Sequence, residues 1–211
     1  GAASTSGGDS TATGGDDAGT GGDDAGTGGD AGTGGNDTVE DNGDLLLEIE
    51  SAPDWVYYYE AEFSAILASV NDSLALPQDI PVVFTYCDEA DGDNANAYYS
   101  TEPEIVMCEQ LLDEFESMAI ANGLDEVDTE EFVVGTTYFV FFHEMGHAII
   151  DQLAIPVLGG EETAADQFAT LQMIGAEGAE LAVTGASYFA ADDTDAVPYY
   201  WDVHPMGEQR F

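Results

Sequence analysis

Two histidines four residues apart, with a glutamate directly after the first, sit in the stretch Phe139-Val140-Phe141-Phe142-His143-Glu144-Met145-Gly146-His147-Ala148-Ile149-Ile150. The pattern is H-E-x-x-H inside an apolar run. On a helix, residues four apart lie one above the other, so His143 and His147 can aim two imidazole nitrogens at a single point. A tetrahedral zinc ion requires that bite of two of its protein ligands. Glu144 stands one step round the helix, close enough to contact a water on the metal without ligating it, which is the place of a general base. The flanking aromatic and aliphatic residues predict a buried helix. Two histidines and a glutamate are costly there without a partner, and a metal is the obvious one. The alternative is a pair of core histidines satisfied by carbonyl groups.

The third ligand has to come from elsewhere. A metzincin sequence continues with Gly three residues after the second His and another His three later; Ile150 and Leu153 stand at those places, which excludes that class. Instead the helical pattern breaks at Pro156-Val157-Leu158-Gly159-Gly160 and resumes with Glu161-Glu162-Thr163-Ala164-Ala165-Asp166-Gln167-Phe168-Ala169. This predicts a second helix with acids in its first turn, on which Glu162 and Asp166 share a face. Glu162 can be the third ligand, favoured over Glu161 by its four-residue relation to Asp166. Asp166 can hydrogen-bond the far nitrogen of a ligating histidine and hold its tautomer. Asp151, four after His147, could play that part too, or be a solvated helix acid.

H-E-x-x-H followed by E-x-x-x-D on the next helix resembles the gluzincin metallopeptidases. The fuller string His143-Glu144-Met145-Gly146-His147-Ala148, Pro156-Val157-Leu158-Gly159, Glu161-Glu162 and Ala164-Ala165-Asp166 is similar to a bacterial and archaeal family of metallopeptidases. The resemblance runs from about Asp54 to Phe211 and takes in the cysteine pair, the Asn-Ala-Tyr-Tyr segment and a terminal Trp-Asp-x-His with Gln-Arg-Phe. It implies a zincin-like fold, a Zn2+ ion, peptide-bond hydrolysis, and Glu162 rather than His204 as third ligand.

Charge narrows the partners. The 211 residues hold 44 Asp and Glu against one Lys or Arg, a formal charge of −43, and no lysine at all. Repulsion excludes nucleic acid and anionic membranes as partners. Most of these carboxylates have no basic partner and would push the fold apart at low salt. At molar salt the screening length falls to roughly 3 Å, so the composition predicts a halophilic host in which acidity is a solubility device.

The chain starts at Gly1, and the stretch to about Asn42 is Gly, Asp, Ala, Thr and Ser, with Gly14 to Thr20 repeated at Gly21 to Thr27 and again, shortened, from Gly28. No core can be built from it. Residues 1–43 are therefore expected to be a disordered acidic tether following a removed export signal or lipid-anchor site, ahead of a domain over 44–211. A calcium-binding Gly/Asp repeat is disfavoured because the large apolar residue such repeats bury is missing. No apolar run is long enough to span a bilayer.

The rest must position the metal helix. Strands are predicted at Leu45–Ile49 and Ile80–Tyr86, a helix from Trp55 to about Leu74, a loop from Asp88 to Asn94, and a hairpin pair at Ala95–Ser100 and Glu104–Cys108. A helix over Gln110–Asn122 stops at Gly123, and Thr129 is the expected N-cap of the metal helix, which runs to about Leu153. Further helices are predicted over Glu162–Ile174 and Ala176–Ala190. The sum is an α+β, zincin-like domain with a small mixed sheet and a metal-binding helix pair. Asn96-Ala97-Tyr98-Tyr99 is the candidate edge strand for pairing with extended substrate, or else an ordinary sheet strand. Cys87 and Cys108, the two cysteines of an exported chain, are expected to form a disulfide. In the terminal stretch, His204 or Arg210 could stabilise an oxyanion; equally, Arg210 could neutralise a buried acid and His204 hydrogen-bond within the fold.

The functional expectation is an exported zinc metallopeptidase, tethered at the cell surface and acting on peptide or protein substrates, with Glu144 as base. Two other readings stand beside it. One is a non-catalytic surface or binding protein with a structural zinc, against which an intact Glu144 argues. The other is a zinc hydrolase of non-peptide substrates.

Overall fold

The computed structural model describes residues 40–88, 95–100, 102–176 and 179–192. Residues 1–39, expected to be a tether, residues 89–94, expected to be a loop, and residues 193–211 with His204 and Arg210 lie outside the described residues. Within them the chain is α+β: a four-stranded mixed sheet and six helices. The strands are β1 (Leu45–Ile49), β2 (Ile80–Thr85), β3 (Ala97–Ser100) and β4 (Glu104–Cys108), and the sheet order is β1-β2-β4-β3. β1, β2 and β4 are parallel, and β3 returns antiparallel along β4 to form one edge. The inner strands β2 and β4 are continuous apolar runs, because helices and neighbouring strands shut both of their faces from water. β1, at the other edge, alternates. Upstream of it, Asn42 already donates its N–H to the Leu76 carbonyl at 2.8 Å.

The helices are α1 (Asp54–Tyr58), α2 (Glu60–Asn71), α3 (Glu109–Ala121), α4 (Glu126–Gln152), α5 (Glu161–Ala176) and α6 (Ala179–Asp192). The single helix expected after Pro53 is broken at Tyr59, whose hydroxyl donates to Glu130 on α4. That bond, with the Glu130 charge beside it and partial burial, pushes the Tyr59 phenol up to about 12. α4 begins earlier than Thr129. Asp125 is the N-cap, its carboxylate accepting from the backbone N–H groups of Val127 and Asp128 at 3.1 Å. Glu126 and Asp128 then occupy the positive end of the helix dipole, so one more turn is stable. Gly123, at φ 78°, supplies the left-handed residue that closes α3, with the Leu124 N–H reaching back to the Ala119 carbonyl.

α4 is the axis of the domain. Its 27 residues span about 40 Å, and from Phe132 to Met145 nearly every side chain is buried. A helix covered all round has no polar face, which is why its sequence lacks a clean amphipathic stripe. Phe63 of α2 stacks edge-on against Phe84 of β2 at 5.3 Å and Tyr138 of α4 at 4.9 Å, tying sheet to axis. On another side α6 lies so close that a β-carbon at Gly185 would come 2.6 Å from the Gly135 carbonyl oxygen. Gly185→Ala is therefore expected to destabilise the domain by about 1–3 kcal/mol, read as a lowered denaturation midpoint. An unchanged midpoint would mean that α6 is not held at this distance. No helix among the described residues is long and apolar enough to cross a membrane.

Cys87 and Cys108 are joined in a disulfide across 21 residues. It links the segment after β2 to the end of β4, and a closure of that size is worth about 3 kcal/mol through the entropy of the unfolded chain.

Candidate metal centre

His143 and His147 occupy successive turns near the C-terminal end of α4. The chain then reverses. The Ala154 N–H bonds to the Asp151 carbonyl and the Ile155 N–H to that of Ile150, with Ala154 in the left-handed region at φ 48°. α5 starts at Glu161 and runs back across α4. Contact is close because Gly146 faces Ala165, so close that a β-carbon on Gly146 would sit 3.0 Å from the Ala165 Cα. Both places need small residues if α5 is to bring its first turn to the histidines.

Three side chains then converge, offering two imidazole nitrogens and the two oxygens of one carboxylate. His143 Nε2 and His147 Nε2 are 3.1 Å apart. Glu162 Oε2 is 3.2 Å from His143 Nε2, and Glu162 Oε1 is 3.4 Å from His147 Nε2. Tetrahedral ligands on bonds of about 2.0–2.1 Å stand roughly 3.3 Å from one another, so the nitrogens and the carboxylate lie at separations of the size a shared ion needs, and His143, His147 and Glu162 form a group that could hold one. The far sides of the rings are held as well. His143 Nδ1 lies 2.9 Å from Asp166 Oδ1, and His147 Nδ1 lies 2.8 Å from Glu161 Oε1. With a carboxylate at each Nδ1, the ring proton is drawn there and both Nε2 lone pairs face the shared point. Three acceptors facing one another demand a positive charge. In the metal-free protein a proton can supply it: the Glu162 carboxylate beside Nε2, above all, pushes the His147 imidazole up to about 9, against the effect of burial.

Glu144 is 8% exposed, pointing from α4 to the edge of the sheet, and Glu144 Oε2 accepts the Tyr99 backbone N–H at 2.9 Å. Burial pushes its carboxyl above the usual range, while the two histidines and the Tyr99 N–H pull the other way. The β3–β4 register, with the Cys108 N–H bonded to the Asn96 carbonyl, turns the backbone groups of Tyr98 and Ser100 toward β4. Those of Ala97 and Tyr99 face the open edge. Of the segment singled out from the sequence, Ala97, Tyr98 and Tyr99 lie in β3, and Asn96 immediately precedes it.

The structure thus brings together His143, Glu144, His147, Glu162 and Asp166, from two helices. It also places at the site groups to which sequence alone gave no such part. Glu161, passed over in favour of Glu162, holds His147; the signal was its position beside Glu162 in a first turn, where both carboxylates can reach the same histidine pair. Among the described residues, Asp151 holds no histidine. Its carboxylate accepts the Tyr99 hydroxyl at 2.8 Å, the same hydroxyl accepts from Gln152, and the Tyr99 phenol is pushed up to about 12, first by burial and then by Asp151. Periodicity carries no signal for a bond between a strand and a helix end 52 residues apart.

No curated protein and no solved structure matches the chain. Residues 56–211 match the family described as "Putative metallopeptidase". The match covers α2 to α6 and with them both halves of the His/His/Glu cluster. By its sequence, and with a cluster able to hold a metal ion at the crossing of α4 and α5, the chain belongs to this metallopeptidase family.

Proposed function

We propose that the protein is a zinc peptidase of gluzincin type on a zincin-like fold, with His143, His147 and Glu162 as ligands and Glu144 as general base. The observation that carries this reading is the convergence of two imidazole nitrogens and a carboxylate, all within 3.4 Å of a partner, beside a buried glutamate. Two nitrogens and one oxygen at these separations suit zinc, and three protein ligands leave a fourth position for chemistry. When bound, the ion supplies Lewis acidity toward water and toward the peptide carbonyl.

The chain's own residues do the rest. Tyr99 N–H holds Glu144 Oε2, which orients the carboxylate and leaves Oε1 to take the proton of the attacking water. The same carboxylate then delivers that proton to the leaving amine. Asp166 and Glu161 keep the two imidazoles aimed by accepting from Nδ1. The open edge of β3 offers the carbonyls of Ala97 and Tyr99 and the Ala97 N–H to an extended peptide. His204 or Arg210, outside the described residues, is assigned to the oxyanion that forms from the carbonyl.

The reading places the enzyme outside the cytoplasm, tethered by residues 1–43. The disulfide suits an oxidising compartment, and a charge of −43 with a single cation suits concentrated salt. The full chain purified in molar salt is expected to hold about one zinc and to cleave an unfolded protein substrate. A chelator removes both ion and activity, and zinc restores them. Cleavage that survives the loss of all metal sinks the proposal. Dialysis into dilute buffer is expected to unfold the domain, by circular dichroism; persistence of the fold there disproves the saline reading.

A further inference from the structure

A second site lies toward the other end of α4. A hollow of about 650 Å³ opens between α1 with Tyr59 just after it, the C-terminal end of α3 and the first turns of α4. Val133, in its wall, precedes His143 by ten residues, roughly 15 Å along a helix at about 1.5 Å per residue. The hollow is therefore separate from the metal centre. Its volume lies within the range of small-molecule sites, roughly 300–1,000 Å³.

Its walls are aromatic and aliphatic. Trp55, Tyr58 and Tyr59 present three rings, the two tyrosines meeting edge to face at 5.1 Å and 84°. Ile120, Leu124 and Val133 add aliphatic surface. Much of this is in water: Tyr58 is 79% exposed and Ile120 61%, large apolar groups that a fold ordinarily covers when it can. Around the carbon walls stand four carboxylates, those of Asp54, Glu116, Glu126 and Glu130. None has a Lys or Arg partner among the described residues.

We propose that the hollow binds an organic cation whose charge sits on an alkylated nitrogen and whose body is partly apolar. The negative faces of indole and phenol rings attract a diffuse cation, most strongly when water is excluded. The carboxylates add attraction without having to touch it. A hard, hydrated metal ion fits worse, since carbon walls return nothing for the water it would shed. A neutral apolar ligand makes no use of four acids.

The probes are choline and its neutral carbon isostere 3,3-dimethylbutan-1-ol, with benzyltrimethylammonium as a larger cation. Each is titrated into the full chain in molar salt, by calorimetry and by Trp55 fluorescence in a Trp201→Phe variant, since the chain has two tryptophans. Contacts at ring distance survive a screening length of roughly 3 Å. The expected result is saturable binding of both cations, with choline at least tenfold tighter than the isostere. Tyr58→Ala, an exposed position that the fold tolerates, is expected to weaken the cations at least tenfold. Glu130→Gln is expected to weaken them severalfold, and neither change alters zinc content. Equal binding of the isostere overturns the proposal, as does indifference to Tyr58→Ala, which would put the cation elsewhere on the acidic surface. A lysine-containing tetrapeptide that binds more tightly than either probe makes the hollow a peptide groove instead, and no saturable binding leaves it without a cation.

Discussion

Glu144→Gln is expected to cut peptide hydrolysis by a factor of about 10²–10⁴, the usual worth of a positioned general acid–base, while zinc content and melting temperature stay near wild type. The factor corresponds to about 3–5 kcal/mol of barrier at 1.36 kcal/mol per decade. Fold and metal should survive because the amide has the size of the acid. Its oxygen can still accept the Tyr99 N–H that Glu144 Oε2 accepts at 2.9 Å. What the amide cannot do is take a proton from water and return it to an amine. Turnover and zinc stoichiometry measured on the same preparations separate the two roles. Activity within about tenfold of wild type would remove Glu144 from the mechanism.

Glu162→Ala is expected to act one step earlier, on the metal itself. The substitution deletes the carboxylate that stands 3.2 Å from His143 Nε2 and 3.4 Å from His147 Nε2, and leaves two nitrogens facing each other. Loss of an outer partner of a ligating histidine typically costs about 10–100-fold in metal affinity; loss of a ligand should cost more. Wild type should therefore keep its zinc through dialysis against a weak chelator and the variant should not. α5 itself should persist, since Glu162 is in its first turn and Ala suits a helix. Asp166 and Glu161 remain at the two Nδ1 atoms, so the rings stay aimed at a site lacking one ligand. Full retention of zinc in Glu162→Ala would place the third ligand elsewhere, with His204 the next histidine to test.

Most strand and helix positions were legible because each reports on itself. β1, β2 and β4 begin where the sequence places them, since short apolar runs between turn residues have few other uses in a compact domain. The start of α4 was not legible. Asp125 and Thr129 can both cap a helix, and acids come after each, so the local sequence is ambiguous by one turn. The break at Tyr59 was also hidden, because its bond partner Glu130 lies on another helix, 71 residues away.

By itself the sequence determined the His143–Glu144–His147 bite, because spacing along one helix is a local property that 3.6 residues per turn converts directly into direction. It likewise determined the charge, and the pairing of Glu162 with Asp166 on one helix face. Tertiary structure alone decided that this face meets the histidines. That depends on the reversal at Ala154 and on the small-residue contact of Gly146 with Ala165, which set how closely α5 crosses α4. It also decided that Glu161 rather than Asp151 holds His147, and that the Tyr99 N–H on the sheet edge holds Glu144. These are bonds between elements whose relative placement comes from core packing, and packing leaves no period in the chain to be read.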